Sequence, residues 1–423
     1  MFEQKKAQLR EGEELIWTGS PCEEKEYGRA DWVLVPVSTL LLALSALYAT
    51  LTVHAVLRVG FSAAHGIALL LALALLCGSL SGCAAGRAPT PSEPTVAFTD
   101  SLGRTVEIPE TLTRVAPSGT VASMFLATIA PEYMTTINAT PSSSQYKYLD
   151  PRLIDLPTTG QMYGSKSTLN LESILSSGAQ VVIDIGDKKD NMAADLDALQ
   201  RQIGIPVIFI EADLPHMAAA FRTLGGILEG KAERGEALAA FVEQTVSMAE
   251  ENTAKIQDSE RLSVLYTSGS SGLNTDAKGS TQAQVLDLMG LENAAVVEDV
   301  SNKGGGNPIN LEQLYRFDPD VILFAAGSIY AAAADDAAWQ PLRAIEEGDF
   351  YEIPSMPYNW LSNPPSLNML LGVWWLGNLL YPQYYDYDMV EKTQEIFRLF
   401  WDYDLSGEEA RQMLANSTLK DTP

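Results

Sequence analysis

The sequence predicts an α/β protein made of two Rossmann-like lobes with parallel sheets, joined by a long α-helix, with a ligand cleft between the lobes. Three observations carry this prediction. The first is an internal repeat at an offset of 140 residues. Asn170-Leu171-Glu172-Ser173-Ile174-Leu175 precedes Val181-Val182-Ile183-Asp184, and Asn310-Leu311-Glu312-Gln313-Leu314-Tyr315 precedes Val321-Ile322-Leu323-Phe324. Each copy reads as an asparagine-capped short helix, a turn and an apolar run suited to a buried parallel strand. The glutamate falls in the first turn, where the helix dipole favours it. The second observation is composition: 423 residues, 46% hydrophobic and 19% charged, make a globular chain long enough for one large or two ordinary domains. The third is Leu214–Ile256, dominated by Ala, Leu, Glu and Met and lying between the two repeat copies.

Taken in order, the chain opens with an uncertain extension, residues 1–60. Trp32–Leu57 holds 26 residues without Asp, Glu, Lys or Arg, long enough to cross a bilayer. Basic residues concentrated before Trp32 would place the N-terminus in the cytoplasm. Residues 61–83 form a second, shorter apolar segment that closes on Leu80-Ser81-Gly82-Cys83, the pattern of a secretory signal. That ending resembles the lipobox of bacterial lipoproteins, which implies lipidation of Cys83 and cleavage just before it. Two full spans would return the main domain to the cytoplasm. The first segment therefore does not span, or the second alone acts as the signal, or the true start lies downstream. Gly12-Glu13-Glu14-Leu15-Ile16-Trp17-Thr18-Gly19 faintly resembles small bacterial membrane proteins with a pleckstrin-like fold, and no function is assigned to it. Residues 84–97, with Pro and Ser, read as a tether.

An N-terminal lobe is expected over 98–213, with strands at Thr113–Pro117, Val181–Asp184 and Val207–Glu211. The interlobe helical segment, 214–256, starts at Asp213 and Pro215. Gly225, Gly226 and Gly230 divide it into helices near 215–229 and 231–256. The C-terminal lobe, 257–423, begins with a strand at Leu262–Thr267. Several strands end in polar, glycine-bearing loops, where ligands of open parallel sheets bind.

Charge and rare residues exclude whole function classes. Lys+Arg 28 against Asp+Glu 54 gives a net charge of −26, which argues against nucleic acid as a partner because phosphate neutralisation needs clustered cations. Three histidines (His54, His65, His216) and three cysteines (Cys22, Cys77, Cys83) are too few for a multi-histidine metal centre, a zinc ribbon or a disulfide framework. His216, beside Pro215, reads as a helix-start surface residue, so free zinc or manganese is not expected as cargo. No Gly-x-Ser-x-Gly elbow and no phosphate loop ending Gly-Lys-Ser/Thr is present, which weakens a lipid-anchored α/β enzyme as an alternative.

From Phe98 onward the ordered set of motifs is similar to the helix-backboned substrate-binding proteins of ABC importers for iron-siderophore, haem and cobalamin. Thr99-Asp100-Ser101-Leu102-Gly103-Arg104-Thr105-Val106-Glu107-Ile108-Pro109 with Arg114-Val115 resembles the opening strand pair of that family. Phe317-Asp318-Pro319-Asp320-Val321-Ile322 resembles the entry to its C-lobe sheet. Pro357-Tyr358-Asn359-Trp360, Pro364-Pro365-Ser366-Leu367-Asn368 and Trp375-Leu376 resemble its closing segment. The resemblance implies a non-enzymatic, extracytoplasmic, lipid-anchored receptor, monomeric and without a cofactor. Its ligand would be a metal chelate: a ferric siderophore, haem or a corrinoid. Its partners would be an ABC permease and its ATPase, and the positions matching the family's docking glutamates are Glu172 and Glu312.

Cleft candidates come from the loops after strands. In the N-lobe they are Ser118, Thr120, Gln161, Tyr163, Lys166 and Lys188. In the C-lobe they are Ser268, Asn274, Lys278, Asn302, Lys303, Tyr330, Tyr358 and Trp360. Lysines beside glycine-rich backbone suit an anionic chelate or oxyanion, and the aromatics could face a large ring system. No residue is expected to bind a metal directly. The late run Tyr381, Tyr384, Tyr385 and Tyr387 reads as lobe packing. An oxyanion receptor of the same fold, for molybdate or tungstate, is the nearest alternative, and a receptor feeding a sensor instead of a permease would share fold and cleft.

Overall fold

The computed structural model describes residues 94–164, 168–302 and 304–419. Cys83, the signal and tether residues before 94, Lys166 and Lys303 lie outside them. The chain divides into Met1–Ser92 and a compact unit Glu93–Pro423; the fold below is that of the second. In chain order its elements are β1 (Thr95–Thr99), β2 (Thr105–Pro109), β3 (Val115–Pro117), α1 (Thr120–Ile129), α2 (Leu171–Ser176), β4 (Val181–Gly186), α3 (Met192–Ile203), β5 (Val207–Glu211), α4 (Met217–Ile227) and α5 (Ala232–Thr253). There follow β6 (Ser263–Thr267), β7 (Asn274–Thr275), α6 (Gln284–Leu288), β8 (Glu292–Asn293), β9 (Asn307–Pro308), α7 (Leu311–Phe317), β10 (Val321–Phe324), α8 (Arg343–Glu347), β11 (Phe350–Glu352), α9 (Asn368–Leu380), α10 (Met389–Trp401) and α11 (Gly407–Leu414).

Both repeat copies fold alike. Asn170 Oδ1 accepts from Ser173 N at 3.1 Å, and Asn310 Oδ1 accepts from Gln313 N at 2.9 Å, each capping its helix. The strands that follow, β4 and β10, are buried along their whole length. That is the pattern of a parallel sheet covered on both faces. In the N-lobe β3, β4 and β5 pair in parallel, in that order. Single parallel bridges from Val115 to Met134 and from Ile137 to Thr158 widen this sheet. In the C-lobe the order is β11-β10-β6-β8, again parallel throughout.

The opening motif is explained by one carboxylate. β1 and β2 form an antiparallel hairpin whose turn is closed by Asp100 Oδ1, accepting from Leu102 N and Arg104 N at 3.0 Å each. Arg104 then bridges Asp100 at 3.1 Å and Asp197 on α3 at 2.9 Å, and donates to the Val207 carbonyl at 2.9 Å. The hairpin is thereby tied to the edge of the N-lobe sheet.

The connecting segment is a helical pair. α5 has 22 residues, about 33 Å at 1.5 Å per residue, and it touches both lobes. Arg234 donates to Thr128 O near the end of α1 (3.0 Å), and Thr253 Oγ1 donates to Leu288 O at the end of α6 (3.1 Å). Gly230, at φ +67°, makes the turn between α4 and α5. Gly225 and Gly226, read from sequence as breakers, stay inside α4. One hydrophobic cluster runs from Phe125 and Phe221 through Phe241 on α5 to Trp374 and Phe397. Trp374 Nε1 donates to Thr245 Oγ1 of α5 at 2.9 Å. The late tyrosines pack as expected: Tyr381 and Tyr385 are buried, and Leu262 N donates to the Tyr381 hydroxyl at 3.1 Å. Among the described residues no helix is long and apolar enough to cross a membrane.

Candidate functional site

The carboxyl ends of the N-lobe strands lie side by side because parallel pairing brings all of them to one edge. At that edge a groove of about 480 Å³ is lined by Asn138, Ala139, Thr140, Thr158, Thr159, Gly160, Thr168 and Asn170. It follows the two bridged segments that widen the sheet. Thr120, at the start of α1, ties the groove to β3: Asn138 Nδ2 donates to Thr120 Oγ1 at 3.0 Å, and Thr120 Oγ1 donates to Gln161 Oε1 at 3.2 Å. Thr120 and Gln161, two of the cleft candidates, stand beside the groove without lining it, and the lining residues Asn138 and Thr140 are not among the candidates read from the sequence. Gly160, at φ +72°, permits the close crossing of 158–160 and 168–170, since a Cβ there would stand 2.4 Å from the Thr168 carbonyl oxygen.

Behind this edge lies a buried acid. Asp184 on β4 is 6% exposed and accepts a short hydrogen bond from the Ser118 hydroxyl. Burial pushes its pKa up to about 6, against the stabilising Ser118 contact and the Lys189 charge. Ser118 is 1% exposed. This corrects its expected place on the cleft wall, because its hydroxyl is spent inward on Asp184. Tyr163 packs under Lys189, whose ammonium lies 5.0 Å from the ring centroid, and burial, then Asp184, pushes its hydroxyl pKa up.

At the next strand end Lys188 Nζ pairs with Glu211 Oε2 at 2.7 Å. Glu211, Asp213 and His216 bring one ligand atom each within 4.8 Å of one another. The set is already satisfied by its own contacts. Asp213 caps the turn that leads into α4 by accepting from His216 N at 3.1 Å and also holds the imidazole Nδ1, while Glu211 is held by Lys188.

The C-lobe edge is a polar floor. Asp276, 3% exposed, accepts from Ser362 Oγ at 2.7 Å, and burial pushes its pKa up to about 6. Asn363 Nδ2 donates to the Tyr266 hydroxyl at 3.0 Å. Tyr266, Asp276, Gln282 and Ser362 border a cavity of about 10 Å³, the room of one water. Ser268 and Asn274 bridge at the mouth of β6, with Ser268 N donating to Asn274 O at 2.8 Å. Asn302 Oδ1 accepts from Thr281 N at 2.9 Å, and Lys278 is exposed. Tyr330 lies against Phe324 and Phe350, at 6.1 and 5.8 Å between centroids. Tyr358 is half-buried, 6.4 Å from Trp401. Trp360 is a correction: its ring is 0% exposed and Nε1 donates to Met356 O at 2.9 Å, so it belongs to the core and offers no face to a ligand. The lobes meet beside this floor, where Gln145 Nε2 donates to Pro357 O at 2.8 Å.

The raised Asp184 pKa gives a stability prediction with a definite sign. An acid whose folded pKa lies above its unfolded value, near 3.9, binds its proton more tightly when folded. Its contribution is therefore favourable below pH 4 and is lost as pH rises through about 6. Asp184→Asn keeps an acceptor for Ser118 and removes the charge. The variant is expected to gain on the order of 2 kcal/mol at pH 7 and to lose part of the pH slope between 4 and 6.5. Urea unfolding at pH 4, 5.5 and 7 measures this; parallel slopes for the two proteins would refute it.

Comparison with known proteins agrees with this architecture. A sequence profile of the family described as Periplasmic binding protein matches residues 115–357. An ABC transporter solute binding protein from Sulfurospirillum deleyianum is 27% identical, covers 75% of this chain and 99% of its own, and superposes with a TM-score of 0.67. A periplasmic solute binding protein from Veillonella parvula is 22% identical, covering 77% and 98%, with a TM-score of 0.63. A molybdate periplasmic binding protein from Haemophilus influenzae is 18% identical, covering 74% and 99%, with a TM-score of 0.60. The comparison with curated proteins returned no match. The profile spans more than half of the chain, both strand sets and the connecting helices included. The chain belongs to the periplasmic binding protein family, a family of transport receptors and not of enzymes.

Proposed function

We propose that this chain is the extracytoplasmic, lipid-anchored substrate-binding protein of an ABC importer, capturing a metal chelate of the iron-siderophore, haem or corrinoid class and delivering it to a permease. The observation that carries the reading is the match to the periplasmic binding protein family over residues 115–357. The N-lobe groove is open to solvent and lined by hydroxyl, amide and backbone groups without a charged side chain, which suits a polar ligand whose metal is already held by its own donors. The likeness to the Sulfurospirillum solute binding protein supports the importer context. Lys166 and Lys303 would add positive charge for an anionic chelate, and Cys83 would carry the anchor. Glu172 and Glu312, both exposed, would meet the permease.

The test uses residues 84–423, which contain the compact unit. Ferric siderophores, haemin, cobalamin and molybdate are titrated while tryptophan fluorescence is followed. One chelate is expected to saturate with submicromolar Kd, at least about 100-fold tighter than molybdate. Tight binding of molybdate alone would replace this reading with the oxyanion receptor, and silence from all four would count against both.

A further inference from the structure

We propose that Asn138 and Asn170 are the specificity-determining pair of the N-lobe groove. One offers a fixed hydrogen-bond acceptor and the other a fixed donor, and together they select a chelate whose organic shell carries amide groups. This deepens the substrate-binding reading above and rests on it. The two residues line the groove on either side of the segment 158–160. On one side Ile137 O accepts from Thr159 N at 2.8 Å and Asn138 O from Gly160 N at 2.9 Å; on the other Thr159 O accepts from Asn170 N at 2.7 Å. What each amide presents is set by what its other end holds. Asn170 Oδ1 accepts from Ser173 N at 3.1 Å. A backbone N–H can only donate, so the oxygen is committed to it. Asn170 Nδ2, with its two N–H donors, is left without a partner among the described residues.

Asn138 is held by the opposite end of its amide. The single Thr120 hydroxyl proton goes to Gln161 Oε1 at 3.2 Å, so Thr120 Oγ1 is free to accept from Asn138 Nδ2 at 3.0 Å. Asn138 N donates to Ser123 Oγ at 3.1 Å and fixes the backbone. Asn138 Oδ1 remains as an acceptor without a partner among the described residues. Thr120 is thus a positioning residue, which sets the end of the Asn138 amide that the groove presents. The other lining groups add selectivity by what they withhold. Thr168 N donates to Gln161 O at 3.0 Å, so with Thr159, Gly160 and Asn170 four backbone N–H groups are spent within the walls. None of the described lining residues is cationic. A carboxylate or an oxyanion offers acceptors only. It would pair with Asn170 and leave Asn138 Oδ1 facing another acceptor. An amide offers C=O and N–H together and satisfies both. A polar group left unpaired on binding loses affinity outright, since it was solvated in the free site.

The test uses residues 84–423, which contain the compact unit Glu93–Pro423. They are titrated with ferrioxamine B, ferric enterobactin and cobalamin, which carry amides, and with haemin and molybdate, which do not. One amide-bearing chelate is expected to bind at least about tenfold tighter than haemin or molybdate. Asn170→Ser keeps a helix cap and removes the donor, while Asn138→Leu removes the acceptor at similar volume. Each is expected to weaken that chelate at least about tenfold, and the urea midpoint of Asn170→Ser should match that of the parent. Thr120→Val is expected to weaken the same chelate by a similar factor, and Thr120→Ser, which retains the hydroxyl, to bind it as the parent does. Affinity unchanged by Asn138→Leu and Asn170→Ser would overturn this inference and leave the importer reading standing. Haemin or molybdate binding tighter than every amide-bearing chelate would do the same. Silence from all the probes would count against the importer reading and this inference together.

Discussion

A chain carrying Glu172→Lys and Glu312→Lys is expected to deliver no ligand: uptake falls to the level of cells lacking the protein, while the Kd of residues 84–423 for the chelate stays within about twofold. The separation of the two effects follows from geometry. Both side chains are exposed and sit in the first turns of α2 and α7, and neither lines the groove. Each helix is fixed by an asparagine cap and by a buried fourth residue, Ile174 or Leu314, so a lysine at the exposed site leaves the fold intact. Reversal does more than remove an attraction. If the two glutamates meet basic side chains of the permease as proposed, reversal would set like charges against them at two places at once, and like-charge juxtaposition across an interface costs several kcal/mol. The repeat makes the two penalties add, since the sites lie on different lobes and share no neighbour. The single reversals are therefore expected to be intermediate. Radiolabelled chelate uptake, with titration of the same variant in solution, makes the comparison; uptake equal to that of the unsubstituted chain would end the docking role of these glutamates.

How far the sequence reached can be argued from particular residues. The repeat, its caps and its strands were legible because each rests on local chemistry. An asparagine before an apolar helix and an unbroken apolar run after it have few other readings. The connecting helices were legible for the same reason. The groove was not, because its walls are segments joined to the sheet by single bridges at Val115–Met134 and Ile137–Thr158, and its lining is neutral. Asn138 and Thr140 carry no charge or spacing that separates them from ordinary loop residues. Ser118 and Trp360 show the opposite failure. A serine after a strand reads the same whether it turns to solvent or, as here, to a buried Asp184, and a tryptophan in a proline-rich loop reads the same as wall or as core. Those choices are made by long-range packing, which no local pattern encodes.

Gly225, read from the sequence as a helix breaker, is instead a contact. Gly235 of α5 crosses α4 directly over it. A Cβ added there would stand 2.6 Å from the Phe221 carbonyl oxygen and 2.8 Å from Gly225 Cα. Both are backbone atoms and cannot rotate away, so the helices must separate. Separation would strip Phe221 from its stack on Phe125, now 4.8 Å between centroids, and loosen the shared core to which Leu224 and Leu238 both belong. Gly235→Val is accordingly expected to cost about 3 kcal/mol or more, a large part of the roughly 5–15 kcal/mol available to a domain. Because α5 joins the lobes, ligand binding should be lost in the same transition. Gly226 supplies the control on the same helix pair. A Cβ there meets nothing within 4 Å, so Gly226→Ala is expected to stabilise by about 0.5–1 kcal/mol through helix propensity alone. Urea unfolding of residues 84–423 followed by circular dichroism reads both. Opposite signs are what a close backbone crossing requires, and a Gly235→Val variant as stable as the parent would mean that the helices do not approach at this point.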